Sequence, residues 1–148
     1  EAGQPGEYGT QGVSSSSNVP PARDGASSWI DRDGNLFLFG GELVSNVGLN
    51  DLWKWDGENW TWIKGSNQTN VFGVYGALGV KDGNNNPGSR TGAGSWVSST
   101  GDFYLLGGES TVERGGGVYH NDLWKWDGED WVWVGGLNST RNYGNYGY

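Results

Sequence analysis

The chain has 148 residues, 29 of them Gly and 10 Trp, with no Cys, no Met and a formal charge of −8. The length suits one domain; the missing Cys excludes disulfides, thiolate metal sites and a Cys nucleophile, and nine scattered basic residues exclude a nucleic-acid partner, which needs clustered Lys and Arg. No run approaches the roughly 20 apolar residues of a membrane-spanning helix, and the absence of an initiator Met and of a signal-like start points to a mature product or a piece of a longer chain.

Residues 1–24 form a Gly-, Ser- and Pro-containing connector. The first strand is expected over residues 26–30, ending Ser28-Trp29-Ile30, before a turn at Asp33-Gly34-Asn35. Leu36-Phe37-Leu38-Phe39 is continuously apolar, as expected of a strand covered on both faces. It ends at the Gly40-Gly41 doublet, and Glu42 follows. A third strand is expected over residues 50–55, with Trp53 and Trp55 at alternate positions directing their rings to one face. Asp56-Gly57 leads into a fourth, Trp60-Thr61-Trp62-Ile63, and Asp-Gly between aromatic segments signals a hairpin with a type I′ turn.

The same series then recurs. After a connector over residues 66–91 come Gly94 to Val97, Phe103 to Leu106, Gly107-Gly108-Glu109, residues 121–126, Asp127-Gly128 and Trp131 to Val134. All ten Trp fall into two sets of five in register: Trp29 matches Trp96 at an offset of about 67, and Trp53, Trp55, Trp60 and Trp62 match Trp124, Trp126, Trp131 and Trp133 at about 71. The offset grows because residues 43–49 become residues 110–120, a longer loop with Gly115, Gly116 and Gly117. An insertion confined to one loop marks a tolerant surface site. The connectors match too, Tyr8 with Tyr75 and Pro20 and Arg23 with Pro87 and Arg90. Residues 137–148, with Tyr143, Tyr146 and Tyr148, begin a third copy of the connector and are candidates for contact with another chain.

The expected fold is therefore all-β: two four-stranded antiparallel sheets, residues 25–65 and 92–136, joined by long connectors and stacked as the blades of a β-propeller. An apolar strand ending in Gly-Gly, then an aromatic position and a Trp a few residues on, resembles the kelch repeat. Gly40, Gly41, Trp55 and Trp60 carry the resemblance in the first unit, and Gly107, Gly108, Trp126 and Trp131 in the second. The period exceeds the roughly 50 residues usual for kelch, because of the connector, and a Trp stands where that family more often has Tyr. Propellers close with about 4–8 blades, so two blades imply an incomplete propeller or an open array that needs further blades, from the same polypeptide or from other copies.

The candidate sites are mostly structural. Gly-Gly without a following Lys or helix start is expected to serve close backbone packing rather than phosphate binding. Asp31, Asp33 and Asn35 place oxygens at alternate positions as a calcium loop does, but the later Gly and bidentate Glu of an EF-hand are missing, and a hairpin turn is expected. The sole His, His120, is expected to be a solvated loop residue; one His does not make a typical metal site, and no metal or cofactor is expected. Arg23/Arg90, Glu42/Glu109, Asp51/Asp122, Asp56/Asp127 and Glu58/Glu129 recur in both units, which fits turn chemistry and blade-to-blade ion pairs better than a catalytic pair needed once. The Trp residues are expected to pack between blades rather than to stack on sugars. Asn59, Asn67 and Asn138 head Asn-x-Ser/Thr sequons, and Asn67 and Asn138 are equivalent, each just past a last strand.

These readings converge on a non-catalytic, secreted or cell-surface glycoprotein with a structural role through blade stacking, in a surface or filamentous assembly. The alternatives are a propeller that binds carbohydrate or another extracellular protein through the loops at 43–49 and 110–120, or a non-catalytic fragment of an enzyme similar to galactose oxidase. That enzyme's radical-copper site requires Cys, Tyr and several His, whereas this chain has no Cys and one His.

Overall fold

The computed structural model describes residues 4–44, 47–110, 112 and 118–139. Among these the protein is all-β, with no helix. The tail tyrosines Tyr143, Tyr146 and Tyr148 and the triple glycine at 115–117 lie outside the described residues.

In the first unit β1 (Ser27–Ile30), β2 (Leu36–Phe39), β3 (Leu52–Trp55) and β4 (Trp60–Lys64) form an antiparallel sheet in chain order. β5 (Arg90–Thr91) opens the second unit, and β6 (Gly94–Val97) and β7 (Phe103–Leu106) follow. A short β8 (Glu109–Ser110) pairs with β5. β9 (Leu123–Trp126) and β10 (Trp131–Gly135) complete the second sheet, ordered β6-β7-β9-β10. The first unit has a single bridge, Asp24 with Glu42, where the second has the β5–β8 ladder.

Register sorts the side chains into two faces, because partners across an antiparallel ladder point to the same side. One face of the first sheet carries Trp29, Phe37, Phe39 and Leu52; the other carries Ile30, Leu36, Trp55 and Trp60 in one row, and Leu38, Trp53 and Trp62 in the next. In the second sheet the equivalent faces carry Trp96, Tyr104, Leu106 and Leu123, against Phe103, Trp126 and Trp131 with Leu105, Trp124 and Trp133.

The sheets stack with the first kind of face against the second kind. Trp29 lies 5.0 Å from Phe103 and 6.1 Å from Trp131, Phe37 5.1 Å from Phe103, and Phe39 5.3 Å from Trp131, measured between ring centres. This apolar layer is the core, and Trp124, Trp126 and Trp131 are sealed within it. The rims are tied as well. Lys64 Nζ meets Asp130 Oδ1 at 2.5 Å, Arg32 Nη2 donates to the Ser99 carbonyl at 2.8 Å, and Gly41 N donates to the Arg90 carbonyl at 2.9 Å. Among the described residues the array is open, with one face of each sheet left without a sheet on it.

Each connector folds back on the blade that follows it in sequence. Gly12 N donates to the Trp62 carbonyl and Gly79 N to the Trp133 carbonyl, both at 2.8 Å, so the connectors run beside the outer strands β4 and β10. Asn18 Nδ2 reaches the Trp60 carbonyl at 3.0 Å, and Lys81 reaches Glu129 and Asp127 at 2.8 and 3.1 Å.

Candidate functional site

The most strongly built polar feature is one cluster made twice. Arg90, just before the second sheet, places Nη1 2.7 Å from Asp122 Oδ1 and Nη2 2.9 Å from Asp122 Oδ2. Tyr75 Oη of the connector donates to Asp122 Oδ2 at 2.6 Å, and Trp124 Nε1 donates to the same oxygen at 2.8 Å. Arg90 Nη1 also reaches the Gly107 carbonyl of the glycine doublet at 2.8 Å. Arg23, Asp51, Tyr8, Trp53 and Gly40 repeat every one of these contacts. The Asp122 and Asp51 side chains are 0% exposed. Burial opposes the charge on Asp122, yet the bonds from Arg90, its charge, and those from Tyr75 and Trp124 hold the carboxyl below its ordinary range. Burial, followed by the Asp122 charge, pushes the Tyr75 hydroxyl above its ordinary value, so it stays a donor.

A carboxylate engaged by four donors fastens the elements that supply them. The cluster joins connector, glycine doublet and third strand of one unit. The ion pairs expected to run from blade to blade therefore run, for Arg23–Asp51 and Arg90–Asp122, inside a single unit, because each Arg directly precedes the sheet that holds its Asp. Lys64–Asp130 crosses between blades.

The glycine doublets are packing devices. Gly40, Gly41, Gly107 and Gly108 all have φ between 64° and 95°. A Cβ on Gly41 would lie 2.6 Å from the Asp24 carbonyl oxygen, and one on Gly108 2.9 Å from that of Thr91. Asp56 and Asp127 act as turn residues: Asp56 Oδ1 accepts from the backbone N–H of Glu58 and Asn59 at 2.9 and 2.8 Å, and Asp127 does the same for Glu129 and Asp130. The loop is four residues wide, with positive φ at Gly57 and Gly128 and not at the preceding Asp. The expected type I′ turn is thus replaced by a loop held by an Asp side chain.

At the Asp31 loop, Oδ1 accepts from the backbone N–H of Asp33 and Asn35, and Oδ2 from Asn35 Nδ2 at 2.7 Å. Its oxygens serve the turn. Among the described residues no three His, Asp or Glu side chains converge as metal ligands. His120 is not solvated as expected: its side chain is 8% exposed, with Nδ1 3.9 Å from Asp122 Oδ2. It lines a cleft of about 260 Å³ with Phe72, Tyr75, Ser110 and Asn138. Sequence reading missed this inward turn, since the equivalent Leu49, which is 1% exposed, was the signal that the position points into the fold.

Asn67 and Asn138 are exposed, whereas Asn59 is half-buried in the β3–β4 loop. The aromatic repeat positions differ by unit. Trp126 and Trp131 are 1% and 0% exposed, while Trp55 and Trp60 are only half-buried. On the other face the inequality reverses, with Trp29 5% and Trp96 44% exposed. No protein-family model matches this chain, and no curated protein matches it. Among the described residues no helix is long and apolar enough to cross a membrane.

Proposed function

We propose that this protein is a non-catalytic, extracellular structural repeat protein with kelch-like blades, which works by stacking its sheets with further blades into a larger array. One observation carries the reading. Positions sealed where the two sheets meet are the same positions, one repeat away, that are less buried at the two ends. The recurring Asp51, Asp122, Asp56 and Asp127 support a structural role, since their oxygens are engaged in ion pairs and turns. The exposure of the equivalent Asn67 and Asn138 supports a glycosylated, secreted or cell-surface setting; unmodified asparagines in the intact mass of protein from its natural source would remove that setting.

The stacking role is tested by fusing two full chains end to end and comparing urea unfolding with the single chain, at concentrations where both are monomeric. The fusion gains one internal blade contact, and each large apolar side chain it newly covers contributes about 1.5–3 kcal/mol. The fused protein is expected to unfold at clearly higher urea. Equal midpoints would show that blades do not stabilise one another across these faces.

A further inference from the structure

We infer that the two open faces are complementary to each other, so that the face of the second blade bearing Trp96, Tyr104 and Leu106 docks on the Leu36, Trp55 and Trp60 row of the first blade in a second copy of the chain. This rests on the stacking role proposed above and names its partner. The internal blade contact is the template. There Trp29 and Phe37 stack with ring planes 8° apart, and Trp126 and Trp131 stand 5.4 Å and 58° apart to receive them. On the open faces the same pairs already hold similar ring orientations, with Trp96 and Tyr104 5.3 Å apart against 6.3 Å for Trp29 and Phe37. Trp96 and Tyr104 stack at 6°, and Trp55 and Trp60 stand 5.5 Å and 51° apart. Both halves are thus formed before any contact is made, which lowers the ordering cost of association.

The connector does not obstruct this docking. Tyr8 covers Trp53 and Trp62 of the first sheet, as Tyr75 covers Trp124 and Trp133 of the second, where a neighbouring blade is nonetheless accommodated. The row left free holds Ile30 at 60% exposure with Leu36, Trp55 and Trp60, and the opposing face holds Trp96 at 44% and Leu106 at 45%. Leu106 takes the place of Phe39, and Trp60 that of Trp131. The contact is heterologous, so it propagates from copy to copy into a ring or filament rather than stopping at a symmetric dimer. Two of the internal rim ties do not recur: the equivalents of Lys64 and Asp130 are Gly135 and Asn59, and that of Arg32 is Ser99. Copies therefore meet through an apolar contact without that ion pair, and associate more weakly than the blades within a chain.

The test uses the full chain and sedimentation equilibrium. Leu36→Glu blocks one face and Leu106→Glu the other, both at positions outside the sealed core. The wild-type chain is expected to grow in mass with concentration, each variant alone to stay monomeric, and their mixture to form a 1:1 heterodimer through the one intact face of each. Heterodimer formation also shows that both variants are folded. Adding Gly135→Lys with Asn59→Asp to the wild type recreates the missing pair and is expected to tighten association by about threefold or more, with a new salt sensitivity. Dimers formed by either blocked variant alone, or wild-type-like growth in both, overturn the docking mode while leaving stacking intact. A wild-type chain that is monomeric at every concentration also overturns it, whereas the stacking role itself fails only if the end-to-end fusion gains no stability.

Discussion

Asp122 shows how much one residue can hold in a small β-protein. It is fully buried with four donors on two oxygens, and its partner Arg90 is 1% exposed. Removing one member of a buried pair leaves the other charged and unpaired, at a cost of about 3–5 kcal/mol. Asp122→Asn is therefore expected to lower the unfolding free energy by that amount, read from urea titrations at neutral pH. The acid limb supplies an independent check. The folded-state pKa of Asp122 is depressed, so its stabilising contribution is complete above the unfolded carboxylate value of about 3.9. It is lost as pH falls through the depressed folded value. The wild-type protein should lose stability steeply below about pH 4, and Asp122→Asn should show a shallower loss over the same range. Parallel acid limbs in the two proteins would mean that the carboxylate is not held ionised by its donors.

The elements were legible where their signals are local. Alternating aromatics and the apolar Leu36–Phe39 run located the eight main strands to within two residues at their ends, because strand patterning is carried by the segment itself. Residues 56–59 separate β3 from β4 as the strand ends imply, but the turn type was not legible, since the Asp-Gly pair does not show that an Asp side chain will bond the backbone two and three residues on. The partners of Arg23 and Arg90 were legible only as recurring charges. Which Asp each one meets depends on the route of the connector, which no local pattern encodes, although the recurring Tyr8 and Tyr75 were the visible third member. The glycine doublet allows its role to be dissected. Gly34 and Gly41 have nearly equal φ, 86° and 89°, but Gly34 faces open space and Gly41 faces the Asp24 carbonyl. Gly34→Ala should cost only the left-handed strain, about 1–2 kcal/mol. Gly41→Ala should cost that plus roughly 1–3 kcal/mol for displacing packed backbone. Equal urea midpoints for the two variants would remove close packing as the reason for the doublet.

At the scale of the whole molecule, two copies of one unit sit in different surroundings, and the difference itself is measurable. Trp60 and Trp131 occupy the same strand position, each paired across the hairpin with a Trp at 5.5 and 5.4 Å. Only Trp131 also meets Trp29 and Phe39 of the other blade. Trp60 also meets Trp53 of its own blade at 6.4 Å, so an excess cost of Trp131→Ala over Trp60→Ala reports what a neighbouring blade adds. Trp131→Ala should cost about 3–5 kcal/mol, as for a fully buried aromatic, and Trp60→Ala clearly less in the monomeric chain. The end-to-end fusion then provides the control within one molecule. In it the Trp60 of the second copy gains a blade above it, and its substitution by Ala should cost as much as that of Trp131, while the Trp60 of the first copy stays cheap to replace. Were both copies of Trp60 equally tolerant, the neighbouring blade would contribute nothing at this position, and the open faces would be ordinary surface rather than half of an interface.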